Sequence, residues 1–278
     1  VLCYLHPDKG THTKFLHISD FLLNLGIRSP EVIFCSENLG ITIQEDLGDT
    51  SLIDLDTSLK EHHSLIDKSL DLLSQLQTAN IPQIPKLDEE TLDNQMNGLS
   101  TIFLKDFLSL TPHADIPKLQ KEIVENLLDQ PWMNCHFDFE RRNIILDTNK
   151  EVAIIDYQDL CTAPVGIDLA GLLIDHYVKY SDEMISNSLD NYSHYMNLGL
   201  SSEDIFEWVR WGAIQRNMRI LGTLSSIYIE HNRSFRLKDL SMILDNLIDL
   251  IPDNNYESLK QFLSIKVRSQ LSKKMTQI

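Results

Sequence analysis

The stretch NIILDTNKEVAIID, from Asn143 to Asp156, limits the possible folds more than any other part of the chain. Its outer runs, Asn143–Leu146 and Val152–Ile155, are apolar and rich in β-branched residues, and four of the five residues between them, Asp147 to Lys150, are turn-formers. That pattern predicts a β-hairpin. A hairpin brings its outer ends together, so Asn143 and Asp156 are expected to be neighbours in space. Asp138 lies on the loop entering the first strand. Oxygens from Asn143 and Asp156, with a second carboxylate nearby, suit a hard cation such as Mg²⁺, which takes few protein ligands and completes its shell with phosphate oxygens.

Phosphoryl transfer from ATP needs metal ligands to bridge the phosphates and a separate carboxylate to orient and deprotonate the attacking hydroxyl. The order H-x-D-x-x-x-x-N, hairpin, Asp supplies both, here as His136, Asp138, Asn143 and Asp156. Asp138 is the expected catalytic base, and Asn143 and Asp156 the expected metal ligands. His136 is expected to shape the loop through a hydrogen bond rather than to act in catalysis. On a blander reading Asp138 and Asn143 are loop caps and Asp156 merely ends a strand; the combined pattern favours the kinase reading.

Composition narrows the partners. The 278 residues, 42% of them hydrophobic, can bury the core of one large or two modest domains. A net charge of −17 disfavours nucleic acid and anionic membrane surfaces and is compatible with a cationic substrate. Cys3, Cys35, Cys135 and Cys161 show no paired spacing, as expected for reduced thiols in a cytoplasmic protein. The ten histidines lack ligand spacing, and no apolar run reaches membrane-spanning length. A monomer acting on a small molecule is expected.

Upstream of the hairpin, VLCYL reads as a strand, Thr13 to Leu25 as a helix stopped by Gly26, and EVIFCSE and GITIQED as strands about the turn Asn38-Leu39-Gly40. Helical spacing recurs over Ser64–Gln77, Glu89–Leu110 and Ile116–Leu128. Everything after the hairpin reads as helix.

The chain resembles the aminoglycoside phosphotransferase and choline kinase superfamily, which replaces the protein-kinase DFG with a looser Asp-aromatic pair, here Asp156-Tyr157. Within it, EDLGD (Glu45–Asp49), IDYQDLCTAPVGIDLAGLL (Ile155–Leu173) and AIQRNMRILGTLSSIY (Ala213–Tyr228) are most similar to the bacterial anomeric kinases of N-acetylmuramate and N-acetylglucosamine that serve cell-wall recycling. The resemblance implies a two-lobed, protein-kinase-like α+β fold. Residues 1–48 would be a partial N-terminal β lobe ending in the hinge, and residues 49–278 a mostly helical lobe carrying the catalytic loop. It implies ATP and Mg²⁺ as cofactors and transfer of the γ-phosphate to a sugar hydroxyl. Backbone groups of Gln44, Glu45, Asp46 and Leu47 would meet the adenine, although EDLGD can also be read as a plain acidic turn. Gln158 and Asp159 would face the acceptor. Asp168 would either stabilise the catalytic loop or cap the helix LAGLLIDHY, and Arg216 would either line the acceptor pocket or lie on a solvated helix face.

The sequence also departs from that pattern. It starts at Val1 inside a strand-like run, so the first strands and the Gly-rich loop of such a lobe are expected to lie upstream. VLCYL has no lysine, Phe137 and Glu140 are unusual in the catalytic loop, and Gln95 stands where an acidic residue is expected. Two alternatives therefore stay open: an aminoglycoside kinase, favoured by the acidic charge, and a non-catalytic pseudokinase.

Overall fold

The structure, a computed structural model, describes residues 1–9, 12–55 and 59–278. Among these, the first half of the chain runs through β1 (Leu2–Tyr4), α1 (Thr13–Asn24), β2 (Val32–Ser36), β3 (Ile41–Gln44), α2 (Leu59–Thr78), α3 (Glu89–Gly98), α4 (Ile116–Leu128) and β4 (Trp132–Cys135). The second half adds β5 (Ile144–Leu146), β6 (Val152–Ile154), β7 (Cys161–Pro164), α5 (Gly166–Leu173), α6 (Asp182–Tyr195), α7 (Ser202–His231), α8 (Leu240–Leu250), α9 (Asp253–Gln261) and α10 (Arg268–Met275). Two compact units emerge, one of Val1–Lys86, Trp132–Ala163 and Ser181–Ile205, the other of Leu87–Pro131, Pro164–Tyr180 and Phe206–Ile278.

In the first unit β1, β3 and β2 form an antiparallel sheet in that order, with Cys3 and Cys35 both opposite Thr42 of the central strand. The β2–β3 turn closes on Gly40, whose φ of +63° is open to glycine at little cost. A Cβ there would also stand 2.0 Å from the Leu5 carbonyl oxygen, so no larger residue fits. Helix α1 buries Ile18 and Leu22 and ends as expected at Gly26, which takes a left-handed φ of +74°. The expected hairpin is β5–β6, with Ile144 opposite Ile154 and Leu146 opposite Val152.

Helix α2 turns Ile66, Leu70, Leu73 and Leu76 inward at the spacing legible in the sequence. Asn134 of β4 caps its end, donating from Nδ2 to the carbonyls of Leu76 and Ala79 at 2.9 and 2.6 Å. Gln77, on the same buried face, accepts from the Tyr192 hydroxyl of α6 at 2.5 Å.

The all-helical expectation beyond the hairpin fails at β7. Cys161–Pro164 pairs with β4, and the Thr162 amide donates to the Pro85 carbonyl at 2.8 Å. Four residues are too few to show a period, and both partners lie far upstream in sequence.

In the second unit Asp88 caps α3, accepting from the Thr91 amide at 2.7 Å. The expected helix to Leu110 instead widens into π-helical turns over Leu99–Phe107. Helix α7 passes very close to two partners of this unit. A Cβ on Gly222 would meet the Gly98 backbone at 2.7 Å, and one on Gly212 would lie 2.2 Å from the Gly166 carbonyl oxygen at the start of α5. Backbone cannot yield as a flexible side chain can, so Gly212→Ala is expected to lower the unfolding free energy by about 2 kcal/mol in urea titration. A loss below about 0.5 kcal/mol would mean that α5 and α7 part without cost.

Candidate active site

The loop from His136 to Asn143 and the segment after β6 are sewn together through the backbone of one residue, Ile155. The Ile155 amide donates to the Asn143 carbonyl at 3.0 Å, and the Ile155 carbonyl accepts from His136 Nε2 at 2.9 Å. His136 therefore carries its proton on Nε2, and complete burial pushes its pKa down, in favour of the neutral ring. The Asp138 carbonyl accepts from the Glu140 amide at 2.8 Å and from Asn143 Nδ2 at 2.9 Å. The second bond uses one of the two Nδ2 hydrogens of Asn143 and fixes which way the amide faces, leaving Oδ1 as the side chain's acceptor.

Backbone strain marks both ends of this arrangement. Phe137 and Asp156 have φ values of +75° and +65°, in the left-handed region that side chains seldom enter. Aspartate tolerates that region better than most residues; a buried phenylalanine does not, so the surrounding bonds hold it there. Asp156 leads into a single 3₁₀ turn, Tyr157–Asp159, within which Gln158 Nε2 donates back to Asp156 Oδ1 at 2.8 Å. Tyr157 is buried and stacks on Phe15 of α1, with centroids 5.1 Å apart and planes 7° from parallel. Burial pushes its hydroxyl pKa up to about 12.

A cleft of about 660 Å³ opens beside these groups, wholly within the first unit. Its lining brings together Gln44, Glu45, Asp46, Leu47, Asn143, Asp156, Gln158 and Asp159 from the residues singled out in the sequence. Asp138 and His136 are not on that lining; Asp138 is half-buried and joined to it through Asn143. Asp168 and Arg216 belong to the second unit. Asp168 is fully buried and does not cap α5, whose N-cap is Val165; it sits in the first turn instead. Arg216 is 2% exposed, which removes the solvated-face reading. Gln95 accepts from Gln215 Nε2 at 2.8 Å, an amide pair at the position where an acidic residue was expected.

An arginine missed in the sequence holds the cleft's rim. Arg28 donates from Nη1 and Nη2 to the Glu45 carboxylate, both at 2.7 Å, and from Nε to Asp147 Oδ2 at 3.0 Å. It thereby ties the EDLGD stretch to the turn of the β5–β6 hairpin. Asp147 also accepts from the amides of Asn149 and Glu151 at 2.8 and 3.0 Å. The Glu151 amide is the main cause of its lowered pKa, opposed by burial and helped by Arg28. Arg28 is the main cause for Glu45, whose pKa is also lowered. Backbone bonds reinforce the tie: Ile154 N to Arg28 O at 2.9 Å, Leu146 N to Thr50 O at 2.9 Å and Leu52 N to Ile144 O at 3.0 Å. Leu47 packs with Ile145, Ala153 and Ile155 beneath the rim. No sequence motif announced Arg28, because its partners lie 17 and 119 residues away.

Among the described residues no group of three or more His, Cys, Asp or Glu side chains could cage a metal. The donor set that fits a cation is instead the pair Asn143 Oδ1 and Asp156 carboxylate, few protein oxygens of the kind Mg²⁺ accepts when phosphate completes its shell. No helix among the described residues is long and apolar enough to cross a membrane.

The profile of the phosphotransferase enzyme family (APH) matches residues 6–202. The chain is 24% identical over 284 aligned positions to the N-acetylmuramate/N-acetylglucosamine kinase of Neisseria meningitidis serogroup B, covering 91% of this chain and 84% of that protein. It is 22% identical to the protein of the same name in Pseudomonas aeruginosa, over 80% of this chain and 68% of that one. Among solved structures, choline kinase LicA from Streptococcus pneumoniae superposes with a TM-score of 0.61 at 13% identity, covering 89% of this chain and 85% of that one. An ADP-bound aminoglycoside phosphotransferase superposes with a TM-score of 0.55 at 17% identity, over 86% and 82%. These likenesses bear out the protein-kinase-like α+β fold expected from the sequence.

Replacing Arg28 with methionine leaves Asp147 buried without its cation, and is expected to cost about 2–3 kcal/mol in denaturant titration at pH 7. Because the Glu45 pKa is lowered mainly by Arg28, and that of Asp147 mainly by the Glu151 amide with help from Arg28, the stability Arg28 supplies is present above about pH 4 and lost as pH falls through the folded values. The gap between native and Arg28→Met should therefore close in acid. A gap that persists unchanged at about pH 2.5 would contradict the clamp.

Proposed function

We propose, from the premise that this chain belongs to the phosphotransferase enzyme family and is a small-molecule kinase, that it transfers the γ-phosphate of ATP to the anomeric hydroxyl of N-acetylmuramate or N-acetylglucosamine. The observation that carries this reading is the convergence of Asn143 and Asp156 with residues 44–47 on one cleft, the catalytic loop being tied to the Asp156 segment through the backbone of Ile155. In this reading residues 1–48 belong to the nucleotide-side lobe and residues 49–278 to the lobe with the catalytic loop.

The cleft has a rim suited to adenine. The Gln44 and Glu45 amides are spent on Val1 and Glu31, both at 2.8 Å, and Asp46 Oδ1 takes the Gly48 amide at 2.9 Å. Among the described residues no such bond occupies the Glu45 carbonyl or the Leu47 amide, which leaves an acceptor and a donor for the base edge. A Mg²⁺ ion held by Asn143 and Asp156 would neutralise charge on the β- and γ-phosphates. Asp138, its backbone fixed by two bonds to its carbonyl, would accept the proton of the attacking hydroxyl. Neutral His136 would fix the loop and take no proton. Gln158 and Asp159 line the cleft beside Asp156 and would meet the acceptor's hydroxyls.

Phosphorus NMR of the protein with Mg-ATP and N-acetylmuramate, N-acetylglucosamine, choline or kanamycin tests this directly. The expected outcome is a sugar 1-phosphate resonance that disappears with Asp138→Ala, whose rate should fall at least about 10²-fold. A kanamycin phosphate would keep the chemistry and move the acceptor to aminoglycosides. No product from any acceptor, despite nucleotide binding, would favour a pseudokinase.

A further inference from the structure

We propose that Lys14, in the first turn of α1, is the side chain that pairs with the nucleotide's phosphates in this cleft. The inference rests on the Mg-ATP reading above and adds to it a residue that the motif order does not contain. Among the described residues the lining carries four carboxylates, Glu45, Asp46, Asp156 and Asp159, against one lysine, Lys14, and no arginine. Arg28 already satisfies Glu45, but Asp46, Asp156 and Asp159 would still repel a polyphosphate. One divalent ion on Asn143 and Asp156 leaves much of that repulsion standing. Strand β1 brings no relief, since its residues are Leu2, Cys3 and Tyr4.

The placement of Lys14 on its helix supports the same conclusion. The earliest helical bond of α1 runs from the Leu16 amide to the His12 carbonyl at 2.9 Å, so the amides of Thr13, Lys14 and Phe15 have no partner within the helix. Those amides and the positive end of the helix add to the lysine's field, a combination that favours an anion. For helix stability alone the first turn calls for acidic residues, yet α1 has none there and carries a cation instead. That unfavourable choice is offset when an anion sits against the turn. Lys14 is solvent-exposed, and its flexible stem lets the ammonium follow a phosphate as a point charge.

The N-cap supplies an independent sign. His12 lines the same cleft, is 8% exposed, and its Nε2 has no hydrogen-bond partner among the described residues. A buried polar nitrogen left unpaired is costly. With the proton on that nitrogen, a phosphate oxygen at the mouth of α1 would offer the acceptor it lacks.

Isothermal titration of the protein with MgADP and with adenosine, for the native chain, Lys14→Met and Lys14→Arg, separates the possibilities. Lys14→Met is expected to bind MgADP about tenfold more weakly while adenosine affinity stays within about twofold of native. Lys14→Arg should recover most of the loss. Unchanged MgADP affinity in Lys14→Met overturns the proposal, as does an equal loss for MgADP and adenosine, which would report a damaged cleft. If the native chain binds neither ligand, the nucleotide reading fails and this inference falls with it.

Discussion

The Arg28 guanidinium is the interaction on which the candidate site most depends. It spans Glu45 on the cleft's rim and Asp147 in the hairpin turn, with all three distances between 2.7 and 3.0 Å. The Asp147 side chain is 1% exposed, so its charge survives burial only because two backbone amides and this cation surround it. The geometry is planar and forked, which lysine could not reproduce. Through this one side chain the rim where adenine is proposed to bind is fixed relative to the hairpin whose ends present Asn143 and Asp156. Weakening it would cost stability and register together.

A second constraint is the strain at Phe137 and Asp156. Each left-handed residue costs about 1 kcal/mol or more; Phe137 adjoins Asp138, and Asp156 is itself a functional candidate. The cost is offset by bonds that converge on the Asp138 carbonyl and on the amide and carbonyl of Ile155. The result is an Asn143 amide oriented by its bond to the Asp138 carbonyl and an aspartate turned out of the strand line toward the cleft. Tyr157, locked against Phe15, anchors that turn to α1, the helix that also carries Lys14. Position in the cleft is thus set by buried aromatic packing and backbone bonds.

Much of this was legible in the sequence where the controlling contacts are local. The β5–β6 hairpin, α1 with its Gly26 stop, and the inward face of α2 all follow from short-range pattern and turn chemistry. Asn143 and Asp156 were readable as neighbours because a hairpin forces them together. What stayed hidden depends on distant partners. Strand β7 is four residues long and makes sense only beside β4; the Arg28 clamp joins three separate stretches; and Asp168 and Arg216 required burial to be known before their alternatives could be narrowed. Composition pointed to an acidic protein without indicating that Lys14 would be the lone lysine on the cleft's lining among the described residues.

Anomalous diffraction from crystals grown with Mn²⁺ and a non-hydrolysable ATP analogue tests the central claim most directly. A manganese peak within about 2.3 Å of both Asn143 Oδ1 and an Asp156 carboxylate oxygen, with phosphate oxygens completing the shell, is the predicted result. Nucleotide density with the metal bound elsewhere, or held by neither residue, would contradict the proposed phosphoryl-transfer centre.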